Sequence, residues 1–529
     1  DLFPNATSDQ LVASGFNRLH LIIDRGTALP EESFFKNVVD RVTAVGTTFM
    51  GMTVHCATCH DHKYDPLTQK DFYSLFAFFN NIDAAPETSG RPRDGLQPPF
   101  LALGTPEQSK NLEQFIKQLA ESEKAIKELK KKIAGEKEAN KKKVLSQDLK
   151  NLTGRYNALK GKRDRLDREI PLAMVMKERK QVRPTHVRIR GEYDAPGELV
   201  TRNTPEFLPA LKKAGETATR MDLADWFVQP SNPLTARVAV NRFWQQFFGV
   251  GLVKTSEDIG AQGEVPSHPE LLDHLTVSFI ESGWDVKALI KQILLSRTYR
   301  QSSVSRREQF TKDAENRNLA RGSRFRMDAE MIRDQILATS GQLVNTMYGK
   351  SVKPPQPDGL WKSVTMIGER YRADAGDAIY RRSLYTYWKR GMPPPQMTIL
   401  NAPIRDACVA RRERTNTPTQ ALLLLNEGEY LKAARSLAQK ALEAEATDES
   451  KRLVFVYETV TSKLPDEKER KVLSDLTRNL QKNYLEQPVL SDAICHGLNI
   501  GDAEQKAQLA AWTVLVNALY NLDITKTRE

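Results

Sequence analysis

The chain has 529 residues, 40% hydrophobic and 27% charged, enough apolar material for several cores. No run approaches the roughly 18 consecutive apolar residues of a spanning helix, so no membrane span is expected. The formal net charge is +11, but residues 105–170 hold 18 Lys and Arg against 11 Asp and Glu, so that segment carries +7 and the rest only +4. No nucleic-acid motif accompanies this charge, which argues against DNA or RNA as a partner.

The sequence opens at Asp1 with no initiator Met and no charged-then-apolar leader, as expected of a processed or truncated piece whose targeting segment lies upstream. Phe35, Val38, Val39, Val42, Val45 and Phe49 then recur at helical spacing, predicting an amphipathic helix. Pro66 and Thr68 open a second helix in which Phe72, Leu75, Phe76 and Phe79 share a face. Between the two lies Cys56-Ala57-Thr58-Cys59-His60, the C-x-x-C-H attachment signature of a c-type haem. At that spacing two thiols reach the two vinyl groups of one porphyrin, and the next residue places an imidazole under the iron. Cys56 and Cys59 are therefore expected to anchor haem c and His60 to be its proximal iron ligand; the flanking apolar helices suit wrapping a macrocycle, or are ordinary core packing, as such stripes usually are. Two other chemistries fit these residue types. His55, Cys56, Cys59, His60 and His62 offer five ligands to a zinc ion, although no second C-x-x-C or H-x-x-x-H exists to complete a distant pair. A Cys56–Cys59 disulfide is the other, and it leaves His60 unexplained.

Haem attachment of this type happens outside the cytoplasm, so a periplasmic or otherwise exported protein is expected. In that compartment Cys408 and Cys495 can pair, or both can be buried as small apolar residues. A sixth iron ligand separates electron transfer from catalysis. The candidates are His20, Met50, Met52, His186 and His268, with His186 in the strand-like RPTHVRIRG preferred.

From Leu112 the chain shows its clearest periodicity. Leu112, Leu119, Ile126 and Ile133 repeat every seven residues with Phe115 and Leu129 interleaved; after a polar break Leu145, Leu152, Leu159 and Leu166 do the same with Leu149, Tyr156 and Ile170. Two heptad helices joined by a short break predict a protruding antiparallel coiled-coil hairpin over residues 105–170, most simply a solvated spur, otherwise a docking arm. Residues 171–217 alternate like short strands around Gly191 and Pro196-Gly197, a small β element. Beyond them, Trp226–Phe248, Glu270–Tyr299, Met327–Val344 and Pro418–Leu442 carry amphipathic helical patterns interrupted by Pro- and Gly-rich loops. The expected fold is therefore mainly α with a small β element and several domains: a haem c module (1–104), the hairpin (105–170), the β element (171–217) and a helical C-terminal domain (218–529).

A cationic cluster stands out in that last domain: Arg381, Arg382, Lys389, Arg390, Arg411, Arg412 and Arg414, with Asn416. Guanidinium forks suit carboxylate or sulfate groups, and Trp361, Tyr385, Tyr387 and Trp388 are of the type that stacks on sugar rings. The cluster is read as a groove for an anionic saccharide, against the plainer reading of internal ion pairs.

The run VDRVTAVGTTFMGMTVHCATCHDHKYDPLTQKDFYSLFAFFNN resembles the cytochrome-type domain of a large planctomycete and verrucomicrobial family. The runs NPLTARVAVNRFWQQFFGVGLVKTSEDIG, LLSRTYRQSS, YRRSLYTYWKR and RRERTNTPTQALLLLN resemble the PSD-type domain of unknown function that follows it there. Members usually begin well upstream, so the resemblance implies a missing N-terminal portion of the same protein. It also implies export, a sulfatase-like partner family, and bacteria that digest complex, often sulfated polysaccharides. Where the family reads Phe-Asp-Ala-Pro this chain has Leu400-Asn401-Ala402-Pro403, which puts a carboxylate role there in doubt. The resulting expectation is an exported haem c protein, an oxidoreductase or electron-transfer component acting in polysaccharide breakdown or supplying a redox partner. The rivals are a non-catalytic scaffold stapled by haem or metal, and a metal-dependent hydrolase using His55, His60, His62 and Asp65.

Overall fold

The computed structural model describes residues 1–19, 29–83, 96, 98–364, 370–389, 391–444 and 448–528. These are mainly helical, with three two-stranded antiparallel sheets.

The first unit is built around two short helices. After α1 (Ser8–Ala13), α2 (Pro30–Val45) starts with Pro at its first turn and Glu31 and Glu32 against the positive helix end. It runs into a π turn, Gly46–Met50, and stops at Gly51. Gly51 is left-handed (φ 60), and a Cβ there would sit 2.9 Å from Val238, so only glycine lets the later helix approach. Next, α3 (Gln69–Phe79) opens on a Thr68–Asp71 capping box. The apolar faces of α2 and α3 close on each other. Val38 and Phe72 are 0% exposed, in one core that also holds Met50, Val54, Ala57, Phe78 and Trp226. The stripes expected to wrap a macrocycle are thus spent on protein packing.

A two-stranded stem follows. Strand β1 (Phe100–Ala102) pairs with β2 (Leu172–Met174), Ala102 facing Leu172, and the chain between them forms α4 (Pro106–Gly135) and α5 (Ala139–Glu169). Residues 136–138 turn the chain back so that these helices pack principally on each other. The positions read from the sevenfold repeat, such as Leu112, Ile126, Leu145 and Leu159, are half-buried, while most of their neighbours are exposed.

Strands β3 (Thr185–Arg188) and β4 (Pro196–Val200) form a hairpin against α3, where the Asn80 amide donates to Thr185 Oγ1 at 3.0 Å. Met176, Val200, Leu208 and Leu223 belong to the same core as α2 and α3. Residues 171–217, expected as a separate β element, therefore complete the first unit.

The remainder is helical with two cores. In the first, α6 (Arg220–Val228) leads to α7 (Thr235–Phe248), and α7 packs with α8 (Pro269–Glu281) and α9 (Val286–Leu295) around Val240, Trp244 and Leu275. The single patterns read over Trp226–Phe248 and Glu270–Tyr299 each break in two. Pro230 and Pro233 interrupt the first, and left-handed Gly283 and Trp284 the second. The chain continues through α10 (Arg307–Lys312), β5 (Phe325–Arg326), α11 (Ala329–Thr339), α12 (Leu360–Val364) and α13 (Pro395–Ile399). The last core combines α11 with α14 (Pro418–Asn426), α15 (Gly428–Ala444), α16 (Glu449–Thr461), α17 (Glu467–Glu486), α18 (Pro488–Ile494) and α19 (Ala503–Tyr520). Helix α19 buries 11 of its 18 residues, as an element apolar on most of its circumference must. The chain then passes through α20 (Asp523–Lys526) into β6 (Thr527–Arg528), which pairs with β5. Arg333 of α11, 0% exposed, fastens α11 to α15 with a two-pronged ion pair to Glu429. No helix among the described residues is long and apolar enough to cross a membrane.

Candidate functional site

The Cys56–His60 segment sits on the outer edge of the first unit. Residues Val54–Thr58 form a 3₁₀ turn with Cys59 following. Cys56 and Cys59 are both exposed free thiols. Between them Ala57 and Thr58 face inward, so the motif presents its sulfurs to solvent and its small residues to the core. The backbone beneath is pinned from α3. Thr58 O accepts from Tyr73 Oη at 2.9 Å and from Gln69 Nε2 at 3.0 Å, and the same Gln69 amide donates to Arg188 O at 2.9 Å. Burial, together with nearby Cys59, pushes the Tyr73 hydroxyl well above its ordinary range, so it stays a donor.

That Arg188 contact brings the β3–β4 turn onto the motif. Arg190 (φ 54) and Gly191 (φ 76) are both left-handed, and Glu192 N donates to Ile189 O at 3.1 Å, the geometry of a type I′ turn. A Cβ on Gly191 would lie 2.6 Å from Cys59 Sγ. The glycine is thus required twice, for its backbone angle and for the approach of the sulfur.

His60 is exposed, and its Nδ1 lies 2.7 Å from Asp61 O. A carbonyl only accepts, so Nδ1 carries the proton and Nε2 holds the free lone pair. His62 is turned the other way. Buried, it accepts at Nδ1 from Asp65 N (2.9 Å) and meets Thr53 Oγ1 through Nε2 (3.1 Å). Asp65 is buried too, with Oδ1 accepting from Ala261 N at 2.7 Å. His62 thus ties the motif loop to itself, and Asp65 fastens that loop to the segment that follows α7. Gly51 O accepting from Ile259 N at 2.8 Å does the same. Among the described residues no group of three or more His, Cys, Asp or Glu side chains is gathered for a metal ion. The set His55, His60, His62 and Asp65 read as a hydrolase centre is accordingly split between surface and interior.

The sixth-ligand candidates disperse. His20 lies outside the described residues. Met50 and Met52 are buried side chains. On β3, Val187 packs on the core, so by strand alternation His186 faces away from it, with Nδ1 donating to Gly197 O at 3.0 Å. His268 precedes α8, its Nδ1 3.0 Å from Ser267 Oγ. Cys495 is buried in the last core while Cys408 is exposed, 3.5 Å from Thr48 Oγ1; both are free thiols.

The cationic cluster does not converge on one groove. Arg381 is buried and donates to the carbonyls of Thr346, Tyr348 and Lys350. Arg382 faces Asp334 at 3.9 Å, Arg411 pairs with Glu257 at 2.8 Å, and Arg412 pairs with Glu330. Lys389 lies over the Trp361 ring, and Arg390 is outside the described residues. Trp361 is buried, and Trp388 donates to Ile404 O under the Arg405 guanidinium, so neither offers an open face. Tyr385 stacks on Arg381 and Tyr387 lies over Lys353. Arg414 and Asn416 line a large cavity. In the departing Leu400–Pro403 run, Asn401 is left-handed, and its Oδ1 accepts from Thr415 and Gln420 at 2.7 Å each. That acceptor role needs no carboxylate.

Comparison with known proteins returned two family models. Residues 1–84, containing the Cys56–His60 motif, match PSCyt2, a protein of unknown function (DUF1549). Residues 219–477 match PSD1, a protein of unknown function (DUF1553). No curated protein and no solved structure matches. The helical hairpin and the β3–β4 turn that touches Cys59 lie between the two matched segments. The chain thus holds a segment similar to PSCyt2 followed by a segment similar to PSD1, both families of unknown function.

Proposed function

We propose that Cys56 and Cys59 carry a covalently attached c-type haem with His60 as its proximal ligand, and that the protein is an exported electron-transfer or oxidoreductase component. The observation that carries this reading is the set of donors the fold leaves exposed: two free thiols three residues apart and an imidazole Nε2 whose partner nitrogen is already protonated. A metal-ligating histidine is commonly held in that way, its other N–H given to a carbonyl. When bound, such a group supplies a one-electron couple at its iron. Gln69 and Tyr73 fix the backbone that bears the sulfurs, and Gly191 leaves room for one of them.

The exposed position favours electron transfer over enclosed catalysis. The apolar faces of α2 and α3 are closed against each other and Cys56, Cys59 and His60 are exposed, so a partner would have direct access to a group held by them. The donors dispersed between surface and interior speak against the hydrolase reading. A first unit whose core closes on its own residues needs no staple, which weighs against the scaffold reading. A link to sulfated-polysaccharide breakdown and a sulfatase-like partner rests on the family resemblance alone.

The test is a pyridine haemochrome spectrum of protein matured in an exporting host. A c-type α band that disappears in Cys56→Ser/Cys59→Ser supports the proposal, and a colourless protein ends it. A reduced spectrum unmoved by carbon monoxide and cyanide assigns electron transfer; binding of either assigns an open iron.

A further inference from the structure

A second site stands apart from the cysteine motif. A cavity of about 860 Å³ lies among the end of α7, residues 303–326, the loop at Arg414–Asn416 and the α20–β6 tail. That volume falls in the range of small-ligand pockets, roughly 300–1,000 Å³. Its wall carries six cations, Arg321, Arg324, Arg326, Arg414, Lys463 and Lys526, against two carboxylates, Glu315 and Asp523. Both acids are engaged. Glu315 pairs with Lys254 at 2.9 Å and Asp523 with Arg324. Arg414 has Asp328 at 3.6 Å and donates to Gly249 O.

Among the described residues Arg326 has no ion-pair partner. Its Nη1 donates to Thr415 O and Gln420 Oε1, while Nε and Nη2 are buried without an acceptor. Those two atoms form one edge of the guanidinium, the fork that grips two oxygens of an oxyanion side by side. Lys526 is nine-tenths buried, and among the described residues its Nζ has only Asn521 Oδ1 within hydrogen-bond reach, at 3.3 Å. Arg321, 8% exposed, spends Nη2 on the carbonyls of Asp313 and Ala314 and leaves Nη1 unpartnered. Burial holds both Arg326 and Lys526 below their ordinary pKa values; for Lys526 the Arg326 charge adds to the effect and the Asp523 carboxylate only partly opposes it. Buried cations of this kind are costly unless an anion meets them.

We propose that this cavity binds a small ligand through an oxyanion group, a sulfate, phosphate or carboxylate. Arg326 is the bidentate donor, its guanidinium turning so that the Nε/Nη2 edge meets the ligand, with Lys526 and Arg321 beside it. The site draws on no property of the Cys56–His60 segment and stands whether or not haem is attached there.

Calorimetric titration of the full chain with inorganic sulfate, inorganic phosphate and acetate, at ionic strength held constant with chloride, tests this. Saturable binding of at least one anion is expected, and which one identifies the group. Arg326→Gln is expected to weaken it at least tenfold, and Arg412→Gln, outside the cavity, to leave it unchanged. Absence of saturable binding for all three anions overturns the proposal, as does affinity that survives Arg326→Gln. Should that variant fail to fold, amide exchange on the unmutated chain decides. The bound anion is expected to slow exchange at Phe325–Met327 and Thr527, and unchanged exchange there refutes the site.

Discussion

Gly191→Ala is the sharpest probe of the motif's support. The added methyl meets Cys59 Sγ at 2.6 Å and Thr58 O at 3.4 Å, whereas unstrained heavy-atom contacts lie near 3.5–4.0 Å, so the turn or the sulfur must move by about 1 Å. A left-handed alanine costs about 1–2 kcal/mol by itself. Displacing the turn also loosens the Gln69 bridge between Thr58 O and Arg188 O, worth about 1 kcal/mol more. The expected loss in urea unfolding is about 2–3 kcal/mol. Gly497 supplies the control, since it is left-handed (φ 83) with nothing near its missing Cβ, so Gly497→Ala carries the backbone cost alone. Thiol-labelling rates of chain produced without haem form the second readout, with Cys59 expected to shift relative to Cys56 in Gly191→Ala only. Equal destabilisation by the two substitutions, with labelling unchanged, would refute the idea that the β3–β4 turn seats Cys59.

Arg333→Met leaves Glu429 buried without its partner and is expected to cost about 3–5 kcal/mol, read by thermal or urea unfolding; a loss below about 1 kcal/mol contradicts the fastening role of this pair. Burial alone would raise Glu178, but the Asn81 amide and the Arg220 and Arg202 guanidinium groups outweigh it and hold its carboxyl below the usual range. Its stabilising contribution is therefore full above the unfolded-state pKa near 4.3 and fades as pH falls through the lower folded value. Glu178→Gln is expected to destabilise at pH 7 by about 1–3 kcal/mol, with the gap to the unmutated chain closing in acid. Replacing residues 106–169 with a short flexible link is expected to leave the melting temperature of the remainder nearly unchanged, because β1 and β2 already bring the two chain ends opposite each other. Loss of cooperative unfolding would show that α4 and α5 support the fold.

Local chemistry was legible in the sequence, and long-range contact was not. The Thr68 cap, the repeat in α4 and α5 and the Cys56–His60 spacing are each set by neighbours a few residues apart. The break at Gly283-Trp284 is hidden because apolar spacing continues across it while two successive left-handed residues turn the chain. Strands β1 and β2 are three residues each and pair across the whole hairpin, too short and too distant for any pattern to reveal. The site divides the same way. Cys56, Cys59 and His60 announce themselves, whereas Gln69, Tyr73 and Gly191 act through contacts that only folding creates. Charge misleads most. Arg381 and Arg412 read like neighbouring cations for a ligand, yet one is spent on carbonyls and the other on an acid. Arg326 and Lys526, from distant segments, share a cavity that no local run advertises.

The helical hairpin has an electrostatic consequence. Thirty residues at about 1.5 Å each carry its tip about 45 Å from its base. At physiological ionic strength fields decay over about 8 Å, so a partner meeting the tip feels little of the rest of the molecule. Most of the chain's surplus positive charge is thereby held at arm's length, where added salt weakens encounters with an acidic partner while leaving the buried ion pairs of the body largely unscreened.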